Sequence, residues 1–320
     1  MGYNTLVTFT AGNALPAADL NNNFANSDYL LTLVKRASVA GELINGYISR
    51  TVASNNLTAA IKTIGGSDPS STDPTFVRIG NSVREITAAL SVTVNAGSNT
   101  FDAGCAELAA LDQDLFVYLG WRASTSSVFI LVSRMPYGVT YADFSSTSTA
   151  ETYGAYSGAA PASTDVVELA GRFSAQNSGT ASYNWSIPTT DLVVSRPIFE
   201  SRWLTWTPTL TGFSSAPTSA KYRYRLINTR AVFYTVSQDG NGTSNTTAYT
   251  MTVPFTTPSG ASTQNTVPIN YVDNSATGST PGRAYLPNSS KTITLGTAYN
   301  SNTWTGSGGK RAYFEMLAEL

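Results

Sequence analysis

No histidine occurs anywhere in the 320 residues, and cysteine occurs once. The first absence removes the usual general base, the usual nitrogen ligand for a metal and the usual switch near neutral pH. Ser-His-Asp and Cys-His constellations therefore cannot be built. The second absence excludes an intrachain disulfide and any multi-cysteine zinc site. Cys105 has no histidine to activate it and reads as a small buried apolar residue. A chain this long without disulfides suits synthesis in a reducing cytoplasm. Charge is scarce too: Asp, Glu, Lys and Arg make up 12%, about half the usual share of roughly 25%. The net charge of −1 offers no field for a phosphate backbone, so nucleic acid is not an expected partner. The longest clear aliphatic and aromatic run is Val128-Phe129-Ile130-Leu131-Val132. A membrane-spanning helix needs about 20 apolar residues, so no membrane insertion is expected. The opening stretch Met1-Gly2-Tyr3-Asn4-Thr5 lacks the basic and apolar segments of a signal peptide.

Phosphate-cradling glycine loops of the GxxxxGK[ST] or GxGxxG kind are absent as well. Glycoside hydrolysis needs only two carboxylates, and Glu107 with Asp112 or Asp165 with Glu168 are nominal pairs. With twenty acidic residues such pairs arise by chance. Asp112 and Asp114 read as a solvated turn before a strand starting at Leu115, and Asp239 as a solvated hairpin residue. The expectation is a chain that is not an enzyme and takes no cofactor, with carboxylates and carbonyls that suit Ca²⁺ or Mg²⁺ at most.

What is present is Thr, Ser and Asn beside 42% hydrophobic residues, with 17 Tyr, 13 Phe and 5 Trp. That mixture favours strands and turns over helices, whose exposed faces normally carry Glu, Lys and Arg. One segment reads as helix. Pro16 suits a first helical position, and Leu20, Phe24, Ser27, Leu31 and Val34 follow at spacings of 4, 3, 4 and 3 before Lys35-Arg36. This is a seam of coiled-coil type, which serves either an ordinary amphipathic helix or a stalk shared by several copies. Leu20, Phe24, Leu31 and Val34 are the candidate oligomer-interface residues.

Residues 41–65 fit either a strand or a short helix, and 65–74 form a loop with two Asp-Pro pairs. Beyond them Ile86, Ala88, Leu90, Val92 and Val94 alternate with Thr87, Ala89, Ser91 and Thr93 as one strand. Leu115–Leu119 and Val128–Val132 are continuous apolar runs that flank a turn and read as a buried hairpin. Val167, Leu169 and Phe173 mark another strand, and 138–164 reads as a long Ser/Thr/Gly-rich loop carrying Tyr141, Tyr153 and Tyr156. A boundary falls near residue 200. Past Trp203–Pro208, short alternating strands are centred on Tyr224, Tyr234, Met251, Ile293 and Phe314, with tight turns at 240–242 and 306–309. The fold class is thus mainly β: an N-terminal helical segment (1–50), a central β-rich domain (51–200) and a C-terminal β domain (201–320), the latter two antiparallel sandwiches or barrels.

Two stretches carry a resemblance. Residues 9–24, Phe-Thr-Ala-Gly-Asn-Ala-Leu-Pro-Ala-Ala-Asp-Leu-Asn-Asn-Asn-Phe, resemble a signature of bacteriophage tail and fibre proteins at the segment that joins the virion. Residues 203–213, with strand 231–237 and the stretch 242–255, resemble the C-terminal β domain of such proteins. The resemblance implies a homotrimeric short fibre or spike, made in the host cytoplasm and located in the virion. Its N-terminal segment would hold other virion proteins, and its outer end would contact a host surface glycan or protein. A head-fibre, collar, baseplate or capsid-decoration subunit is the alternative, with a glycan-degrading tailspike or a carbohydrate-binding module behind it. The loops 237–248, 273–290 and 297–309, poor in charge and rich in Asn, Ser, Gly and Tyr, are the expected contact surface.

Overall fold

The computed structural model describes residues 38–96, 106–136, 154–158, 161–178, 184–189, 192–227, 231–258 and 265–319. Among these every strand pairing is antiparallel, and the only helical element is the 3-10 turn Ala106–Leu108. The protein is mainly β, as the Thr-rich, charge-poor composition implies. The helical seam Leu20, Phe24, Leu31 and Val34, and Cys105, lie outside the described residues.

A six-stranded sheet forms the middle of the molecule, built around Asp112–Arg122, Ser127–Ser133 and Val166–Asn177. Its apolar runs are continuous because both faces are covered. Leu115, Val117, Leu119, Ile130 and Val132 join one core with Ile48, Leu57, Ile61 and Val77. The intervening Phe116, Tyr118, Phe129 and Leu131 join another with the C-terminal strands. The usual alternation of apolar and polar residues is lost where neither face meets water.

On the first face lie two three-stranded sheets. One contains Gly46–Ala53, Asn56–Thr63 and Leu90–Val94; the other contains Leu43–Ile44, Thr75–Ile79 and Ser82–Ile86. The ambiguous stretch 41–65 is therefore strand. The single strand expected over 86–94 is instead two strands in different sheets, interrupted at 87–89. A further difference concerns 138–164: Gly154–Tyr156 is an edge strand pairing with Ser127–Ser133 rather than loop.

The second face packs on the C-terminal region, where twelve strands form one sheet. The hydrogen-bonded path runs through nine of them, from Leu204–Thr205 at one end to Leu210–Thr211 at the other. Nine flat strands would span about 38 Å, yet the two ends are joined by chain that reaches at most about 18 Å. The sheet must curl round its own core. Along Ala220–Ile227, Ala231–Gln238 and Gly309–Glu319 the inward positions alternate with outward ones. The interior holds Trp206, Tyr224, Tyr234, Tyr249 and Trp304, all nearly inaccessible. Their rings meet edge-on, as Tyr224–Phe255 at 5.5 Å and Tyr249–Trp304 at 5.0 Å. The indoles donate to backbone, Trp304 Nε1 to Leu295 O (2.8 Å) and Trp206 Nε1 to Thr252 O (3.0 Å). Within the expected contact loops, Gly242–Ser244, Ala276–Thr277 and Gly282–Leu286 are strands of this sheet.

Candidate binding surfaces

Of the carboxylates that sequence reading could pair for catalysis, Asp165 and Glu168 are held by hydrogen bonds of the fold. Asp114 is not a turn residue. It lies within Asp112–Arg122 with its side chain fully buried, and accepts hydrogen bonds from Arg172 Nη1 (3.1 Å), Arg202 N (2.8 Å) and Arg202 Nε (2.9 Å). Its partners lie 58 and 88 residues away, which no local pattern can announce. Desolvation lowers the pKa of Arg172 from its ordinary value, against the pull of Asp114. Asp165 accepts from Ala123 N (3.1 Å) and Ala162 N (2.9 Å), closing a turn, while Glu168 Oε1 accepts from Gly80 N (3.2 Å). Glu107 is buried and its backbone carbonyl accepts from Thr207 N (2.9 Å). Asp239 is exposed, as expected, and accepts from Ser237 Oγ at 3.1 Å. Among the described residues no three His, Cys, Asp or Glu side chains cluster as metal ligands, and no helix is long and apolar enough to cross a membrane.

Among the buried cations that the sequence reading did not single out, Lys310 is the most deeply placed. Lys310 is wholly inaccessible, with Nζ donating to Thr246 O (3.0 Å) and Ala248 O (2.8 Å). Its ammonium faces the rings of Phe213 (4.9 Å), Tyr249 (5.7 Å) and Trp304 (6.0 Å). Burial lowers its pKa to about 8, against the opposing pull of Asp273. The signal was present, since Lys310 is in phase with inward Ala312, Phe314 and Met316. Gln238 ends the neighbouring inward row in the same way. Its Oε1 accepts from Tyr249 Oη (2.6 Å) and Ala312 N (2.8 Å), and its Nε2 donates to Tyr222 Oη (3.0 Å). Desolvation raises the pKa of both tyrosines. These groups bind the fold to itself.

No family model, curated protein or solved structure matches this chain. Function must therefore be sought on surfaces whose side chains the fold does not consume. Two stand out.

The outer face of the C-terminal sheet carries Phe233 directly opposite Leu317, with Trp203 edge-on to Phe233 at 5.8 Å. Leu317 is 52% and Trp203 41% exposed. Beyond them on the same face, Thr235, Ser237, Pro268, Tyr313 and Glu315 border an open groove of about 760 Å³. The groove lies where Asn265–Asp273 leaves the neighbouring strand. Asn270–Val272 pair with Gly309–Glu319, whereas 265–269 pair with Gly282–Leu286. A second groove, of about 440 Å³, opens between Ser82–Ile86 and the central hairpin, beside Arg84 and Trp121. Of the tyrosines singled out in Ser/Thr-rich segments, Tyr299 is 68% exposed, Tyr156 packs against a core, and Tyr141 and Tyr153 lie outside the described residues.

Proposed function

We propose that the chain is a non-catalytic structural subunit of a bacteriophage virion, a short fibre or spike that self-associates and attaches to the host surface. The observation that carries this reading is the strip of exposed Trp203, half-buried Phe233 and exposed Leu317 leading into the 760 Å³ groove. Contiguous apolar surface on a sheet face, here bordered by Arg225, Glu315 and Glu319, is the kind of face that another protein covers. In a homotrimer each copy would lay this strip against its neighbour. The helical seam of Leu20, Phe24, Leu31 and Val34 would add a second contact, and residues 1–50 would hold the virion. The N-terminal helix followed by two β domains, divided near residue 200, completes the arrangement. The fibre-like residues 9–24 and 203–213, and the commitment of Asp114, Asp165 and Glu168 to structural hydrogen bonds, support the same role.

Sedimentation equilibrium of the full chain tests it. Three times the chain mass is expected, falling towards monomer for Leu317→Asp and for Leu31→Asp. A wild-type chain that stays monomeric at high concentration removes the assembly, and particles that lack the protein by mass spectrometry remove the virion role.

A further inference from the structure

Arg84 lies opposite Val77 in the hairpin Thr75–Ile79/Ser82–Ile86, hence on the face that turns towards the central sheet. An inward cation normally meets a carboxylate. Here its guanidinium stacks 3.7 Å from the centre of the Trp121 ring, and its Nε is inaccessible and unbonded. Among the described residues no carboxylate pairs with Arg84. This contact places the guanidinium over the indole at the wall of the 440 Å³ groove. With Nε inaccessible, the two terminal Nη groups remain for one anionic oxygen pair.

The rest of the groove narrows the chemistry. Its exposed rim carries Glu85, Thr87, Ala88 and Ala89 on one side and Ser126 and Ser127 on the other, with the Glu85 side chain on the opposite face of its strand from Arg84. Short hydroxyls set on both banks of a half-apolar channel suit a ring bearing many hydroxyls. The volume falls within the ordinary range for a small-molecule site, roughly 300–1,000 Å³. We infer that this groove binds a saccharide bearing an anionic substituent. Its carboxylate or phosphate would be gripped by Arg84, and its hydroxyls shared among Thr87 and the two serines.

The inference rests on the attachment reading, since it supplies a surface chemistry for the host contact. It also moves part of that contact from the C-terminal loops to the central region. Calorimetry on the full-length protein tests it with three probes: a tetrasaccharide of hexuronic acid, neutral maltotetraose and inorganic phosphate. The uronate is expected to bind at least about ten times more tightly than maltotetraose. Arg84→Gln should weaken uronate binding tenfold or more, with Arg84→Lys in between. Should Arg84→Gln disturb folding, Ser127→Trp fills the groove from its exposed rim, leaves Arg84 in place and should abolish binding. No uronate binding, binding indifferent to both variants, or phosphate binding as tight as uronate overturns the site. Adsorption of the labelled wild-type protein to bacterial cells is read separately. Its absence strikes the attachment reading, whereas adsorption without uronate binding strikes this groove alone.

Discussion

Lys310 shows how one residue sets a pH dependence. Its pKa of about 8 in the folded protein lies below the ordinary 10.5, because burial penalises the charged form. Between those values the unfolded chain binds a proton that the folded chain does not, so stability rises with pH across that window. Below about 8 both states are protonated and the penalty is fully present. Going from pH 7.5 to 9.5 should therefore add about 2 kcal/mol, read from urea midpoints. Lys310→Met should abolish that rise. It should also strip the donor from the carbonyls of Thr246 and Ala248, a loss of about 1–3 kcal/mol at high pH. A variant with the wild-type pH slope would show that another group carries it. The same residue marks a limit of sequence reading. Its place in the inward phase of Gly309–Glu319 was legible, but lysine at such a position is ordinarily read as the point where a strand turns to solvent. Arg84 was illegible for a different reason: its partner Trp121 lies on a strand 37 positions further along, in another sheet.

At the level of elements, alternation was readable wherever one face of a strand is wet, as in Ala231–Gln238, and absent where both are dry. The central hairpin declared itself by its unbroken runs, although nothing in those runs says which residue enters which core. Val166–Asn177 adds a subtler case. Leu169 and Phe173 are four apart and would share a face in a regular strand, yet Leu169 enters the C-terminal core and Phe173 the other. The pairing with Asp112–Arg122 shifts register between Leu169 and Gly171, and this bulge turns the strand over. Opposite Gly120, Phe129 lays its ring over the glycine, where a β-carbon would collide with it. The guanidinium of Arg122 covers the same ring at 4.8 Å, so the ring cannot withdraw freely. Gly120→Ala is expected to cost about 1–3 kcal/mol by overpacking. Gly65→Ala, whose β-carbon would meet only Thr63 Oγ1 at 3.7 Å, should stay within about 0.5 kcal/mol. Thermal denaturation of the pair separates steric collision from the general effect of removing a glycine, and equal midpoints would contradict the packing argument.

For the molecule as a whole, the question is whether the two β regions on either side of residue 200 unfold together. Composition and turns suggested a division there, and Leu204–Thr205 does open a new sheet. Yet Phe116, Tyr118, Phe129 and Leu131 belong to the same continuous core as Tyr234 and Met316. The connection is reinforced by Asp114, which binds Arg172 within the central sheet and Arg202 in the segment leading to the C-terminal one. Arg172 Nη1 also donates to Glu200 O (2.6 Å), and Glu200 pairs with Arg225. Removing the buried carboxylate would leave two guanidinium groups facing each other at the junction. A buried charge deprived of its partner costs about 3–5 kcal/mol. Asp114→Ala should accordingly lower stability by that amount, and Asp114→Asn by less, since an amide oxygen still accepts from Arg202. Because the core is shared, the loss should move tryptophan fluorescence and far-ultraviolet circular dichroism along one urea transition. Trp121 and Trp185 report on the central region and Trp206 and Trp304 on the C-terminal one, so their emission samples both. If Asp114→Ala instead splits the curve into two transitions, the junction rather than the shared core holds the regions together. An unchanged midpoint would mean that the Asp114 cluster contributes no net stability.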